Sequence, residues 1–199
     1  LMIAAITAWK PYLTAANPSP TPTGTSTPAT AITVTAGLKD PLQYFEFLKD
    51  SFGMTVVYPS TLTNSFDTVR ERMSSTGDPT AISQTRILAY SNFGTPCCNA
   101  FVGLERPLVA GSRKAFGPID FVASGTAINA NLSQANMNTV TMNLARLLWK
   151  RDATAVEQAA IYTMITESIA GLTLSSTDTT RLMGTACTAI AGSLDSISN

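Results

Sequence analysis

Few residues in this chain could do chemistry, and the cysteines are the most specific of them. Cys97 and Cys98 are adjacent in Thr-Pro-Cys-Cys-Asn-Ala-Phe, and Cys187 stands alone near the C-terminal end. Neighbouring cysteines project in different directions and seldom bond to each other without strain. In an oxidising compartment, Cys97 or Cys98 could instead bond to Cys187 and staple the middle of the chain to its last helix. Closing a loop of roughly 90 residues this way adds about 4 kcal/mol in the chain-entropy account, less any strain. The remaining thiol would stay free or bond to another chain. The competing reading is three reduced, buried thiols that pack as small hydrophobes.

The chain has no histidine. That removes the base of Ser–His and Cys–His nucleophiles and the imidazole ligands of zinc and haem. Three cysteines without histidine make a poor structural zinc set, and the redox spacing Cys-x-x-Cys is absent. There is no Walker loop, dinucleotide fingerprint or EF-hand loop. No catalytic residue, cofactor or metal site is therefore read from the sequence.

Carboxylates remain. Glu46 and Asp50 lie four apart, as do Asp67 and Glu71. A glycosidase needs two carboxyl groups facing each other across a cleft, which pairs along one helix do not supply. With Lys49, Arg70 and Arg72 beside them, they read as solvated salt-bridge faces. Asp120, between Ile119 and Phe121, is embedded in apolar sequence; it is either a buried, tuned acid or, the favoured reading, a turn residue after Gly117-Pro118. Arg113 and Lys114 with Arg106 form one basic patch. Arg146, Lys150 and Arg151 form another at a helix C-terminus, where cations complement the dipole. Neither is large enough to bind nucleic acid. Tyr90 and Phe93 are stacking platforms or core. Asn131-Leu132-Ser133 is the one glycosylation sequon, expected by chance in so Ser/Thr-rich a chain.

These residues must be positioned by elements that the pattern predicts in turn. Residues 1–16 read as a helix, and its apolar opening, Leu1 to Ala8, is too short to span a bilayer. Residues 17–31, Asn-Pro-Ser-Pro-Thr-Pro-Thr-Gly-Thr-Ser-Thr-Pro-Ala-Thr-Ala, form a Pro/Thr-rich arm or linker that cannot be helical. A mixed α/β region follows over 32–125. Within it, 32–36 and 54–59 read as strands. Asp40 caps a helix opened by Pro41 and stopped by Gly53, with Leu42, Phe45 and Leu48 as its buried line. Ser65 caps a second short helix. Residues 81–90 lean towards strand because glycine and proline follow, and 101–125 reads as short strands or irregular structure with turns at Gly103, Gly111 and Gly117.

From 126 to 199 the period is helical. Met142, Ala145 and Trp149 share a line with Leu144 and Leu148 beside it. Asp152 caps the next helix, in which Val156, Ala160 and Met164 accompany Ile161, Ile165 and Ile169 until Gly171. The last helix begins near Thr177 or Asp178 and carries Met183, Cys187, Ile190, Leu194 and Ile197. Short loops between three such helices predict antiparallel packing. The expected fold is thus α+β but predominantly helical, a C-terminal three-helix unit preceded by a smaller strand-containing region.

Composition ranks the functions that remain. Of 199 residues 45% are hydrophobic, enough for a real core, whereas only 13% are charged and the formal net charge is zero. Ser and Thr, 18 and 29 of them, fill the gap. Such a surface has little long-range field, so nucleic acid, acidic membranes and highly charged substrates are poor partners. No stretch is long and apolar enough to be transmembrane. Phe121 to Ala145 contains no charged residue in 25 positions, as suits either core with a polar loop or a subunit contact. Together these features point to a structural or interaction subunit of an extracellular, cell-envelope or particle assembly, periplasmic if bacterial. Its partners would be copies of itself or other protein subunits. The alternatives are a monomeric secreted module for a neutral glycan or peptide, and a hydrolase relying on carboxylates.

Overall fold

A computed structural model of the chain describes residues 39–54, 67, 84–123 and 125–197, all within one compact unit, Ala36–Asn199. Among the described residues, seven α-helices are delimited, together with one 3-10 turn at Ala110–Ser112. The helices are α1 (Pro41–Phe52), α2 (Gln84–Glu105), α3 (Ala127–Asn131), α4 (Gln134–Leu148), α5 (Ala155–Ile169), α6 (Ser176–Ala191) and α7 (Leu194–Ile197). No strand occurs among the described residues, so the α+β expectation is overturned in favour of an all-helical fold. The expected helix at 1–16, the arm at 17–31, the strand at 32–36 and most of that at 54–59 lie outside the described residues. So does the helix after Ser65, apart from Asp67, which is helical.

The correction centres on α2. Instead of a strand before position 90 and turns after it, one helix of 22 residues runs from Gln84 to Glu105, with Pro96 inside it and Gly103 in its last turn. An internal proline removes one backbone donor and costs a helix about 3 kcal/mol. Packing offsets that loss. Tyr90, Phe93, Cys97, Cys98, Phe101 and Val102 are all buried, and their spacing of three and four lays one broad apolar face along the helix.

That face meets α6. Ser91 sits against Gly192, Gly94 against Ala191 and Asn99 against Gly184, and Cys98 is bonded to Cys187. Numbers rise along one helix as they fall along the other, so the pair is antiparallel. The approach is close: a β-carbon added to Gly94 would lie 3.5 Å from the Ala191 β-carbon and 3.2 Å from the Tyr44 hydroxyl.

α1 closes one side. Its start and stop are those the sequence dictates: Asp40 and Gln43 form a reciprocal capping box, and Gly53 ends the helix at φ 67°. Its buried line is Tyr44, Leu48 and Phe52, whereas Leu42 is 56% exposed. Of the expected line Leu42, Phe45 and Leu48, Leu48 is buried and Phe45 packs half-buried against Phe93, so only the Leu42 end turns to solvent and the face is rotated by part of a turn. The Tyr44 hydroxyl explains why, because it donates to the Ala191 carbonyl at 2.7 Å, and its ring meets Tyr90 edge-on at 5.0 Å. A tyrosine body fills the core while its tip finds an acceptor at the end of α6. Phe52 stacks on Phe101 at 4.3 Å.

The last three long helices form an up–down–up set. Trp149, just past α4, donates from Nε1 to Ser193 Oγ at 2.7 Å, so α4 and α6 end side by side. Arg151 bridges Glu157, near the start of α5, and Asp195, beyond α6, so α5 returns between them. Thr154, rather than Asp152, caps α5, in a capping box with Glu157. Asp152 instead pairs with Arg146 at 2.6 Å. Ile161, Met164 and Ile165 are buried, but Val156, expected beside them, is exposed.

Two glycines of α2 separate the two determinants of its stability. Gly94→Leu should destabilise the protein by about 2–3 kcal/mol, because added methyl groups have no space against Ala191 and Tyr44. Gly103 has nothing within 4 Å of an added β-carbon, so Gly103→Ala should stabilise by up to about 1 kcal/mol through helix propensity. Denaturant unfolding of both variants measures the contrast.

Candidate functional site

The most built feature of the surface is the loop that leaves α2. Glu105, in the last turn of α2, is 2% exposed. Its carboxylate accepts backbone N–H groups from Lys114 at 2.5 Å, Ala115 at 3.1 Å and Phe116 at 3.0 Å. A buried carboxylate is tolerable only when its oxygens are satisfied in this way. Arg113 works on the opposite polarity. Its guanidinium donates to the carbonyls of Glu105 (3.1 Å), Leu108 (2.9 Å) and Ile119 (2.5 Å) and lies over the Phe121 ring at 5.0 Å. One acid thus gathers N–H groups and one base gathers carbonyls, and between them they fix residues 105–119.

The part of this loop from Arg106 to Ser112 is exposed throughout. It presents Leu108 at 42% and Val109 at 74% exposure, with Leu104 on α2 at 54%. A flexible loop would fold such side chains back; this one is held open at its base.

The other sequence-selected residues are placed as follows. The disulfide joins Cys98 to Cys187, 89 positions apart, and Cys97 is free and buried. Burial pushes the Cys97 thiol up to about 12, so little of it is thiolate at neutral pH. Asp120 is exposed, and its carboxylate accepts the Val122 N–H at 2.9 Å, as a turn residue does. Asn131 is buried and exchanges two hydrogen bonds with the Asp120 backbone, at 2.7 and 2.8 Å; its amide is a clamp in the folded chain rather than a free sequon. Tyr90 and Phe93 are core. Glu46 pairs with Lys49 at 2.8 Å, and Glu71, Arg70 and Arg72 lie outside the described residues.

The two basic patches are divided by their partners. Arg113 is consumed by carbonyls, while Arg106 is exposed. Arg146 and Arg151 are paired with carboxylates. Lys150 takes up φ 57° just beyond α4, and its ammonium reaches the Leu147 carbonyl at 2.7 Å and Ser51 Oγ at 3.4 Å. Apart from Arg106, these cations are engaged by groups of the fold itself.

No group of three or more His, Cys, Asp or Glu suited to a metal occurs among the described residues. No helix among them is long and apolar enough to cross a membrane. One shallow depression between α4 and α5 is lined by Asn138, Thr139, Met142, Asn143, Arg146 and Gln158. Glu105, and the clamp role of Asn131, escape a sequence reading because their partners are backbone groups 9 to 11 positions away, with no motif to mark those pairings. Comparison of the chain with protein-family models, with curated sequences and with solved structures gives no match.

Two measurements follow. A thiol reagent at pH 8 should find no reactive sulfur in the folded protein and one after denaturation without reductant. Reducing Cys98–Cys187 should then lower stability by up to about 4 kcal/mol, from the long loop it closes. Glu157 gives the acid limb. The Arg151 guanidinium, and then the Thr154 N–H and hydroxyl, hold its carboxyl down at about 2, from an ordinary 4.5. Its contribution is therefore complete above pH 4.5 and is lost as pH falls towards 2. Solvent screening leaves about 1 kcal/mol of it, so Glu157→Gln should be less stable at neutral pH and flatter in an acid titration of unfolding.

Proposed function

We propose that this chain is a non-catalytic structural or interaction subunit of an extracellular, cell-envelope or particle assembly. The observation that carries the reading is the surface of the charge-free stretch 121–145. Part of it is core: Phe121, Ile128, Leu132, Met137, Val140 and Leu144 are buried. Burial accounts for those residues but not for the outward positions, Val122, Asn129, Ala130, Gln134, Ala135 and Thr139, which are exposed and carry no charge. A partner can cover such a face without desolvating an ion. The Cys98–Cys187 bond supports an oxidising compartment.

The depression lined by Asn138, Asn143 and Gln158 favours a second reading, a module that binds a neutral glycan or peptide through amide hydrogen bonds. Native mass and sedimentation measurements discriminate between the two. A subunit should be oligomeric, or should leave its native extract in a stable complex, and Ala135→Arg with Thr139→Glu should reduce that association at least tenfold without unfolding the helices. A chain that stays single at high concentration and has no stable partner would refute the assembly reading.

A further inference from the structure

We infer that the depression between α4 and α5 is a saccharide site that selects its ligand by hydroxyl donors; this rests on the second reading above, a module for a neutral ligand.

Hydrogen bonds inside the fold set the polarity of the lining. Asn143 turns its Nδ2 to the Ala115 carbonyl at 3.3 Å, and Gln158 turns its Nε2 to the Ala153 carbonyl at 2.9 Å. Each amide oxygen therefore points the other way, and neither accepts a hydrogen bond among the described residues. Thr139 gives its hydroxyl proton to the Ala135 carbonyl at 3.0 Å, so only its lone pairs remain. Asn138 adds a further acceptor, because its Oδ1 is buried and finds no donor among the described residues. A polar atom left that way is uncommon in a folded chain and calls for a partner from outside it. Against these acceptors stands one amide nitrogen that the fold does not engage, the Nδ2 of Asn138.

The charge of the lining is answered locally. Arg146 holds Asp152 with its Nε at 2.6 Å, which leaves no free field to gather an anion, and a guanidinium at the rim disfavours a cation. The complement is thus a neutral molecule rich in donors. A peptide is poorly matched, since each of its N–H groups comes with a carbonyl that requires a donor of its own. A pyranose fits better. Its adjacent hydroxyls can all donate, and its C–H face can lie on Met142, the apolar side chain of the lining.

Side-chain amide signals in proton–nitrogen correlation spectra of the full chain test this, with methyl mannoside, methyl galactoside and methyl glucoside as probes. At least one sugar should shift the Asn138, Asn143 and Gln158 signals saturably, with a Kd in the millimolar range expected of so small a ligand in an open site. Its per-O-methylated form, which keeps every oxygen and loses every O–H, should bind at least about tenfold more weakly. Gln158→Lys offers donors alone and should weaken binding about tenfold, whereas Gln158→Glu keeps an acceptor and should stay within about threefold of the wild type. Asn138→Ala should weaken binding without lowering the thermal transition, since its oxygen has no partner among the described residues. A methylated sugar that binds as well as its parent, or a Gln158→Lys chain that binds as well as the wild type, overturns the donor assignment. If the sugars leave the three amides unmoved while a capped tetra-alanine peptide shifts them, the saccharide site falls and the neutral-ligand module stands. If neither kind of probe shifts them, both fall, and the assembly reading is unaffected.

Discussion

The close antiparallel contact between α2 and α6 is the constraint on which the remainder of the structure depends. Glycine at 94, 184 and 192 and alanine at 191 bring the two backbones together, and the Cys98–Cys187 bond fixes their register. Every other long element takes its place from that pair. α1 hangs its tyrosine on the end of α6, Trp149 ties α4 to the same end, and α5 is held across the gap by Arg151. The polar groups that remain are spent at the ends of helices, through three capping boxes and one carboxylate–guanidinium pair of opposite function, Glu105 and Arg113. Among the described residues, the few ions serve largely as internal fasteners.

Some of this is legible in the sequence because it is local. The cap at Asp40, the stop at Gly53 and the buried period of Met183, Cys187 and Ile190 depend on residues a few positions apart, and the structure places each of them accordingly. What misleads is the strength of local signals where tertiary packing overrides them. Gly94, Pro96 and Gly103 argue against a helix over 84–105, and it is those glycines and prolines that tip 81–90 towards a strand. The apolar period through Tyr90, Phe93, Cys97 and Phe101 was present all along and wins once α6 covers it. The buried line of α1 was misplaced for a similar reason. Leu42 is more apolar than Tyr44, yet Tyr44 is the one turned inward, where its hydroxyl has an acceptor on a distant helix.

The candidate site was less legible than the fold. Arg113 and Arg106 read as one basic patch, yet one is consumed by four backbone carbonyls and the other faces solvent. Their difference arises from the path of the loop, which no residue type announces. Asp120 and Asn131, read as an isolated acid and an isolated sequon, turn out to be two ends of a single clamp.

The neighbour of the disulfide has a consequence for how the chain matures. During oxidation Cys187 has two candidate partners one residue apart, and on a helix those two sulfurs face about 100° apart. Pairing with Cys97 would rotate α2 about its axis and turn Cys98, with the apolar face it belongs to, away from α6. While the chain is open, the spare sulfur ionises at its ordinary value and can displace the wrong bond, so errors are reversible. Once folding buries it, the Cys97 thiol is pushed up to about 12 and the attacking thiolate all but vanishes. Folding itself therefore acts as the latch: the same residue that permits proofreading of the cross-link is disarmed when the correct one has formed.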